Sequence, residues 1–148
     1  PESSAASDVY KRQHKDSEKT VKVIAGKFNS TEGPVNKHNV HPLYFDVVLN
    51  KHKIFDFNLP ETHNSFIYLI NGEIKVGEKK HDKITDSKLV LLTKGSKLKV
   101  ESYIKSNFLL ISGKPIGEKI ARGGPFVMNT KAEILEAIND YHNGTFVK

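Results

Sequence analysis

Short runs of β-branched, aromatic and other apolar residues recur along most of the chain at intervals of about ten residues. Stretches such as NSTEGP, LPETHN, TKGS and SGKP separate them and are rich in turn-forming residues. The pattern predicts strands over residues 21–25, 43–49, 53–57, 66–70, 73–76, 89–92, 97–101 and 107–111. A helical period is almost absent before residue 130, so the chain is expected to form an all-β sandwich or barrel.

Two of these strands have distinct environments. KLKVES alternates apolar and charged residues, which indicates a strand with one face in solvent. FIYLI is apolar throughout and predicts a strand that is covered on both sides. Asn71 and Gly72 follow FIYLI directly and predict a tight hairpin that fixes its register with EIKV.

The C-terminal segment changes from the period of a strand to that of a helix. Thr130 and Glu133 have the spacing of a capping box, and Gly144 suits the left-handed residue just after a helix end. Four apolar residues then fall on one predicted face: Ile134, Leu135, Ile138 and Tyr141. One C-terminal α-helix of about three turns is therefore predicted.

Length and composition limit the classes of protein that remain. A chain of 148 residues corresponds to about one domain. The absence of cysteine excludes disulfides, thiolate metal sites and cysteine nucleophiles. No apolar run approaches the roughly 20 residues of a membrane span, and the N-terminus lacks a signal-peptide core. We expect a cytoplasmic protein without a membrane partner, with the nucleus as the alternative in a eukaryote.

The N-terminal residues lack both periodicities. The chain begins with Pro1 rather than methionine, and residues 1–19 are polar and aperiodic. We interpret residues 1–19 as a disordered or artefactual tail and residues 20–148 as a single domain.

The positive charge does not have the pattern of a nucleic-acid site. The net charge is +6, but two of the 23 basic residues are arginine, and lysines alternate with acids. Such interspersed lysines are typical of a solvated surface. We expect no direct sequence-specific binding of nucleic acid.

Several segments resemble, in order, the C-terminal half of pirin. They are VKVIAG, GPV, LYFDVVL, HNSFIYLINGE, SGKPIGEKI and GPFVMNTKAEILEAINDYHNGTF, and together they extend over residues 21–146. The last of them is the most specific. The resemblance implies a cupin-like β-barrel or jelly roll over residues 20–148.

The resemblance also implies a function that is divided between two halves. Pirins are bicupins in which the first barrel binds iron through three histidines and a glutamate, and the second is usually empty. Some bacterial members are quercetin 2,3-dioxygenases, and the eukaryotic protein is a redox-responsive transcriptional co-regulator. We expect the iron in an N-terminal half missing from this chain. That half is the expected partner, together with a further protein partner.

The cupin metal motif can be placed on this sequence. Taking Gly72 as the closing glycine of the first motif puts Ser65 at the position of the glutamate ligand. Two histidine positions then fall on Asn58 and Pro60, or on Leu59 and Glu61 with the shorter gap. In the second motif TKG stands for P-x-G, which puts Leu98 at the position of the last histidine. None of these is an imidazole, so this chain is predicted to hold no metal and its cavity to be apolar, or polar without metal affinity.

An alternative remains open, in which the chain is a stand-alone cupin that binds a small ligand or a divalent metal in its barrel. His38 and His41 lie three apart, and a third imidazole would come from His52, His63 or His81. The sequence has no G-x-S-x-G elbow and no glycine-rich phosphate loop, so we predict no catalytic residue.

A half of a bicupin is expected to expose an apolar contact surface. The predicted contact residues are Val21, Val23, Phe126, Val127 and Met128. Burial of the last three under the helix is the alternative for that group.

Overall fold

The computed structural model describes residues 12–35, 39–78 and 83–147. These residues form fourteen strands and one helix, and the chain divides into two compact units at Pro115 and Ile116. The strands are β1 Gln13–Lys15, β2 Lys19–Ala25, β3 Lys27–Phe28, β4 Thr31–Glu32, β5 Leu43–Leu49, β6 Ile54–Asn58, β7 Asn64–Asn71, β8 Glu73–Val76, β9 Ile84–Thr85, β10 Lys88–Leu91, β11 Lys97–Ser102, β12 Ser106–Gly113, β13 Ala121–Gly123 and β14 Phe126–Met128, and the helix is α1 Lys131–Asn143.

Two large antiparallel sheets form most of the first unit, and β3 and β4 form a short third sheet. The larger sheet has six strands in the order β1-β2-β5-β12-β7-β10, and the smaller has four in the order β6-β11-β8-β9. Burial alternates along β5, β11 and β12, so one face of each sheet is turned toward the core. The all-β fold and the eight strands predicted from the pattern are confirmed.

Phenylalanines fill the core between the two sheets. Phe55 of β6 packs edge-on against Phe108 of β12, with ring centroids 5.6 Å apart. Phe28 stacks on Phe55 at 5.6 Å and contacts Phe45 at 5.8 Å. Rings from both sheets therefore meet directly, and burial of this kind stabilises the sandwich in place of disulfides.

The predicted hairpin at Asn71 and Gly72 is wrong. β7 pairs with β10 and β12, whereas β8 pairs with β9 and β11, so the chain passes here from one sheet to the other. Gly72 has φ of +108°, and a Cβ at this position would lie 2.6 Å from Ser106 Cα. Glycine is thus required by a close approach at the edge of the sandwich rather than by a two-residue turn.

The fold begins earlier than the sequence pattern indicates. Gln13–Lys15, within the segment interpreted as a tail, pairs with β2 as strand β1. Asp16 closes the β1–β2 turn, because its carboxylate accepts hydrogen bonds from the backbone N–H groups of Glu18 and Lys19, both at 2.8 Å. These bonds lower the pKa of Asp16 to about 2. The predicted boundary at residue 19 is corrected on this point, since a three-residue strand is too short to show a period.

The second unit contains the β13–β14 hairpin and helix α1. The predicted capping box is present, because Thr130 Oγ1 accepts from the Glu133 N–H and Glu133 Oε2 accepts from the Thr130 N–H. Gly144 is left-handed, as predicted. Ile134 is buried, but Leu135 and Tyr141 are 63% and 66% exposed, so these two residues lie outside the packed stripe that the sequence assigned to them. Within the described ranges, no helix is both long and apolar enough to cross a membrane.

Candidate functional site

With the shorter motif gap, two of the three positions that take imidazole ligands in a metal-binding cupin carry leucines, and the third carries Glu61, which is exposed. Leu59 follows β6 and is 8% exposed, and Leu98 lies on the inward face of β11 and is 5% exposed. Both belong to the hydrophobic core cluster. Leu59 rather than its exposed neighbours Asn58 and Pro60 points inward, so the shorter motif gap is the one that fits this fold. Aliphatic side chains cannot coordinate a metal.

The position of the glutamate ligand carries a serine that belongs to a buried polar cluster. Ser65 on β7 lies directly opposite Ser112 on β12, and its hydroxyl donates to Ser112 Oγ at 2.8 Å. The Nδ1 atom of His63 lies 3.0 Å from the same oxygen. The Ser112 hydroxyl therefore bonds to both His63 and Ser65.

His63 is held in the neutral form by its surroundings. The side chain is 8% exposed, and burial lowers the pKa of His63 from its ordinary value of 6.5. The nearby charges of His41, Lys114 and Lys94 lower it further. These charges are positive, so in the described part of the chain the ring lacks the carboxylate partner that orients a catalytic or metal-bound imidazole.

The histidines named as alternative metal ligands do not form a described metal centre. His38 and His81 lie outside the described residues. Over residues 12–35, 39–78 and 83–147, no group of three histidine, aspartate or glutamate side chains has a metal-binding arrangement. His63 is instead engaged with Ser112 through Nδ1.

A cavity of about 450 Å3 lies next to the two leucines. The smaller sheet contributes residues of β8, β9 and β11, and the larger sheet contributes residues of β10. The cavity is lined by Leu59, Val76, Gly77, Ile84, Val90, Leu91, Leu92, Thr93, Gly95, Lys97, Leu98 and Lys99. It is therefore a mainly apolar slot between two sheets, in agreement with leucines at the ligand positions.

The predicted contact residues fall into two groups. Val21 and Val23 are 0% and 2% exposed and belong to the core of the first unit, so their assignment to an exposed edge is wrong. The edge strand is β1, which the sequence did not reveal. On β14, Val127 is 60% exposed, while Phe126 and Met128 are half-buried. Of the predicted set, Val127 is the one that the structure leaves open to a partner.

A larger apolar surface lies on the outer face of the six-stranded sheet. Its residues occupy adjacent strands in register, since Leu89 lies opposite Tyr68 and Leu91 opposite Phe66. The exposed fractions are 57% for Leu89, 76% for Leu91 and 38% for Tyr68. We call Phe66, Tyr68, Ile70, Leu89 and Leu91 the outer patch. FIYLI was predicted to be covered on both sides, but in this chain Tyr68 and Ile70 on its outer face are 38% and 39% exposed.

Comparison with known proteins places these features in a family. The family model for the pirin C-terminal cupin domain matches residues 44–147. The chain belongs to the pirin family. It is 34% identical to a pirin-like protein of Caulobacter vibrioides over 128 residues, 86% of this chain and 45% of that protein. It is 35% identical to human pirin over 127 residues, 84% of this chain and 43% of pirin.

A solved structure confirms the cupin fold. The structure of a quercetin 2,3-dioxygenase from Acinetobacter baumannii is similar with a TM-score of 0.75 and 28% identity. The match covers 92% of this chain and 48% of the dioxygenase. The chain thus spans about half the length of the relatives that it matches, and the cupin-like barrel or sandwich with a C-terminal helix is confirmed.

Proposed function

We propose that this chain is the metal-free C-terminal cupin half of a pirin-like protein and that its role is structural and partner-facing. The observation that carries the proposal is the set of side chains at the four ligand positions: Leu59, Ser65 and Leu98 offer no metal ligand of the expected kind, and Glu61 is exposed. Iron belongs to the N-terminal cupin half of the same protein. The activity of the whole molecule also belongs to the N-terminal half. That activity is either quercetin 2,3-dioxygenase chemistry or redox-responsive transcriptional co-regulation.

The chemistry of the barrel supports a role without metal. A stable site for iron needs several imidazole or carboxylate ligands that converge on one point. Ser65 and Ser112 offer neutral hydroxyls, which already bond to each other and to His63. One imidazole engaged through Nδ1 does not replace the four ligands of an iron-binding cupin.

The outer patch supports the partner-facing role. A solvent-facing strand normally alternates apolar and polar residues, but β7 and β10 carry apolar residues on both faces. The outward residues Tyr68, Leu89 and Leu91 are exposed in this chain. Contiguous exposed apolar surface of this kind marks protein contacts. The N-terminal cupin half is the proposed occupant, because the relatives are about twice the length of this chain.

Sedimentation of the chain with and without its iron-loaded N-terminal half tests both parts of the proposal. We expect the chain alone to self-associate at about 0.1 mM and the mixture to form a heterodimer that contains one iron. Leu91→Lys should weaken the heterodimer about tenfold or more, since it places a charge in an apolar contact. Leu135→Lys changes a similarly exposed leucine on α1 and serves as the control.

Three results would contradict the proposal. A chain that stays monomeric at this concentration and ignores the N-terminal half would show a self-sufficient barrel. Two irons per heterodimer would show that this half binds metal. Equal effects of the Leu91 and Leu135 substitutions would show that the outer patch is not the contact.

A further inference from the structure

We propose that the slot between the two sheets binds a small, flat, mainly apolar molecule that carries one anionic group. Leu59 and Leu98 are among its lining residues and occupy two of the positions where other cupins hold a metal. In this chain the loss of the ligands has therefore left an apolar cavity rather than a filled core. Its volume of about 450 Å3 lies within the range of small-molecule sites.

The walls of the slot determine the shape and polarity of the ligand. Val76, Ile84, Val90 and Leu92 pack against the core on one side and are half-buried, and all four also line the cavity. They come from both sheets, and facing sheets pack about 10 Å apart. A planar ring system fits such a gap and would cover these side chains, which favours binding through removal of apolar surface from water.

Positively charged side chains in the cavity lining are the reason for proposing an anionic group on the ligand. Lys97 and Lys99 both line the cavity. Lys97 lies opposite the neutral Asn58 and Lys99 opposite Asp56 in the β6–β11 pairing. In the described part of the chain neither lysine forms an ion pair with an acidic side chain, so both ammonium groups are available to a ligand. The hydroxyl of Thr93 is a further polar group of the lining.

Two fluorescent probes that share one ring skeleton test the proposal. One is 1-anilinonaphthalene-8-sulfonate, which carries a sulfonate, and the other is the neutral N-phenyl-1-naphthylamine. With EDTA present to exclude a bound metal, we expect both probes to bind with one-to-one stoichiometry. The anionic probe should bind about two- to fivefold tighter, the range of a partly exposed ion pair.

Substitutions separate the slot from the other apolar surfaces. Val76→Phe fills the slot and should weaken both probes about tenfold or more. Lys97→Gln together with Lys99→Gln should remove the preference for the anionic probe and leave the neutral probe unchanged. Leu135→Gln, on the exposed side of α1, should leave the binding of both probes unchanged.

If Val76→Phe does not fold, methyl NMR of the unmodified chain provides an independent test of binding in the slot. In the unmodified chain the probe should shift the methyl signals of Val76, Ile84 and Val90. Binding without saturation, more than one probe per chain, or shifts confined to the outer patch would overturn the proposal. Such a failure would leave the metal content and the assembly with the N-terminal half unaffected, so it is distinguishable from failure of the proposed function.

Discussion

Replacing Ser112 by alanine should destabilise the barrel through the His63 ring. Ser112 is 3% exposed and its hydroxyl contacts both His63 and Ser65. Alanine keeps the Cβ atom and removes a single oxygen, so the packing changes little. The buried Nδ1 atom of His63 then loses its partner, while the half-buried Ser65 hydroxyl can turn toward water.

The size of the effect depends on His63, because its buried Nδ1 atom loses its partner whereas the Ser65 hydroxyl can bond to water. A buried polar atom that is left without a partner costs about 1–3 kcal/mol. For a chain of this size, each kcal/mol lowers Tm by roughly 2–4 °C. We therefore expect Ser112→Ala to lower the free energy of unfolding by about 1–3 kcal/mol. The corresponding fall in Tm is roughly 2–12 °C.

Urea unfolding at pH 8, where His63 is neutral in both states, gives the free energy directly. Ser30→Ala changes an exposed serine and should stay within about 0.5 kcal/mol of the unmodified chain. Ser65→Ala should cost less than Ser112→Ala, because it leaves the bond between Ser112 and His63 in place. A Ser112→Ala variant as stable as the Ser30 control would refute the role of the cluster.

The pH dependence of stability provides a second readout of the same site. The pKa of His63 is lower in the folded chain than its ordinary value of 6.5. Between these two values the unfolded chain binds more protons, so stability is lost as pH falls below about 6.5. His63→Gln should flatten this slope, and an unchanged slope would show that another group is responsible.

Three further predictions concern other parts of the chain. Gly72→Ala should cost roughly 2 kcal/mol or more in urea unfolding, because the residue has positive φ and approaches Ser106. Carboxyl NMR should give Asp16 a pKa of about 2, and stability from this group should be lost as pH falls from about 4 toward 2; a midpoint near 4 would show that the β1–β2 turn does not hold. Duplexes of different sequence should bind the chain with similar affinities, weaker than about micromolar at physiological salt; a hundredfold preference would contradict the interpretation of the lysine pattern.

The sequence pattern predicted strands well where each buries one face. Alternation marks such strands, and all eight were found. Short strands such as β1 and β9 were not predicted, because two or three residues are too few to show a periodic pattern. The hairpin prediction at Asn71 and Gly72 was wrong because a turn motif does not specify which sheet the next strand joins. Gly72 is instead constrained by the close approach of Ser106, which lies 34 positions further along the chain. The local sequence gives no sign of that contact.

The candidate site could be predicted where motif spacing applies. Leu98 and Ser65 followed from counting along the cupin pattern. The contact between His63 and Ser112 did not, because the two residues are 49 positions apart and meet through the β7–β12 pairing. Val21 and Val23 were misassigned since an apolar alternation is the same for a core strand and for an exposed contact edge.

The most direct test of a metal-free barrel is the iron content of this chain by itself. The purified chain would be incubated anaerobically with excess ferrous ion, desalted, and analysed for metal and protein. We predict below about 0.1 equivalent of iron per chain, because the ligand positions carry leucine and serine. A full equivalent of iron that is lost on replacing His38, His41 or His63 would contradict the assignment.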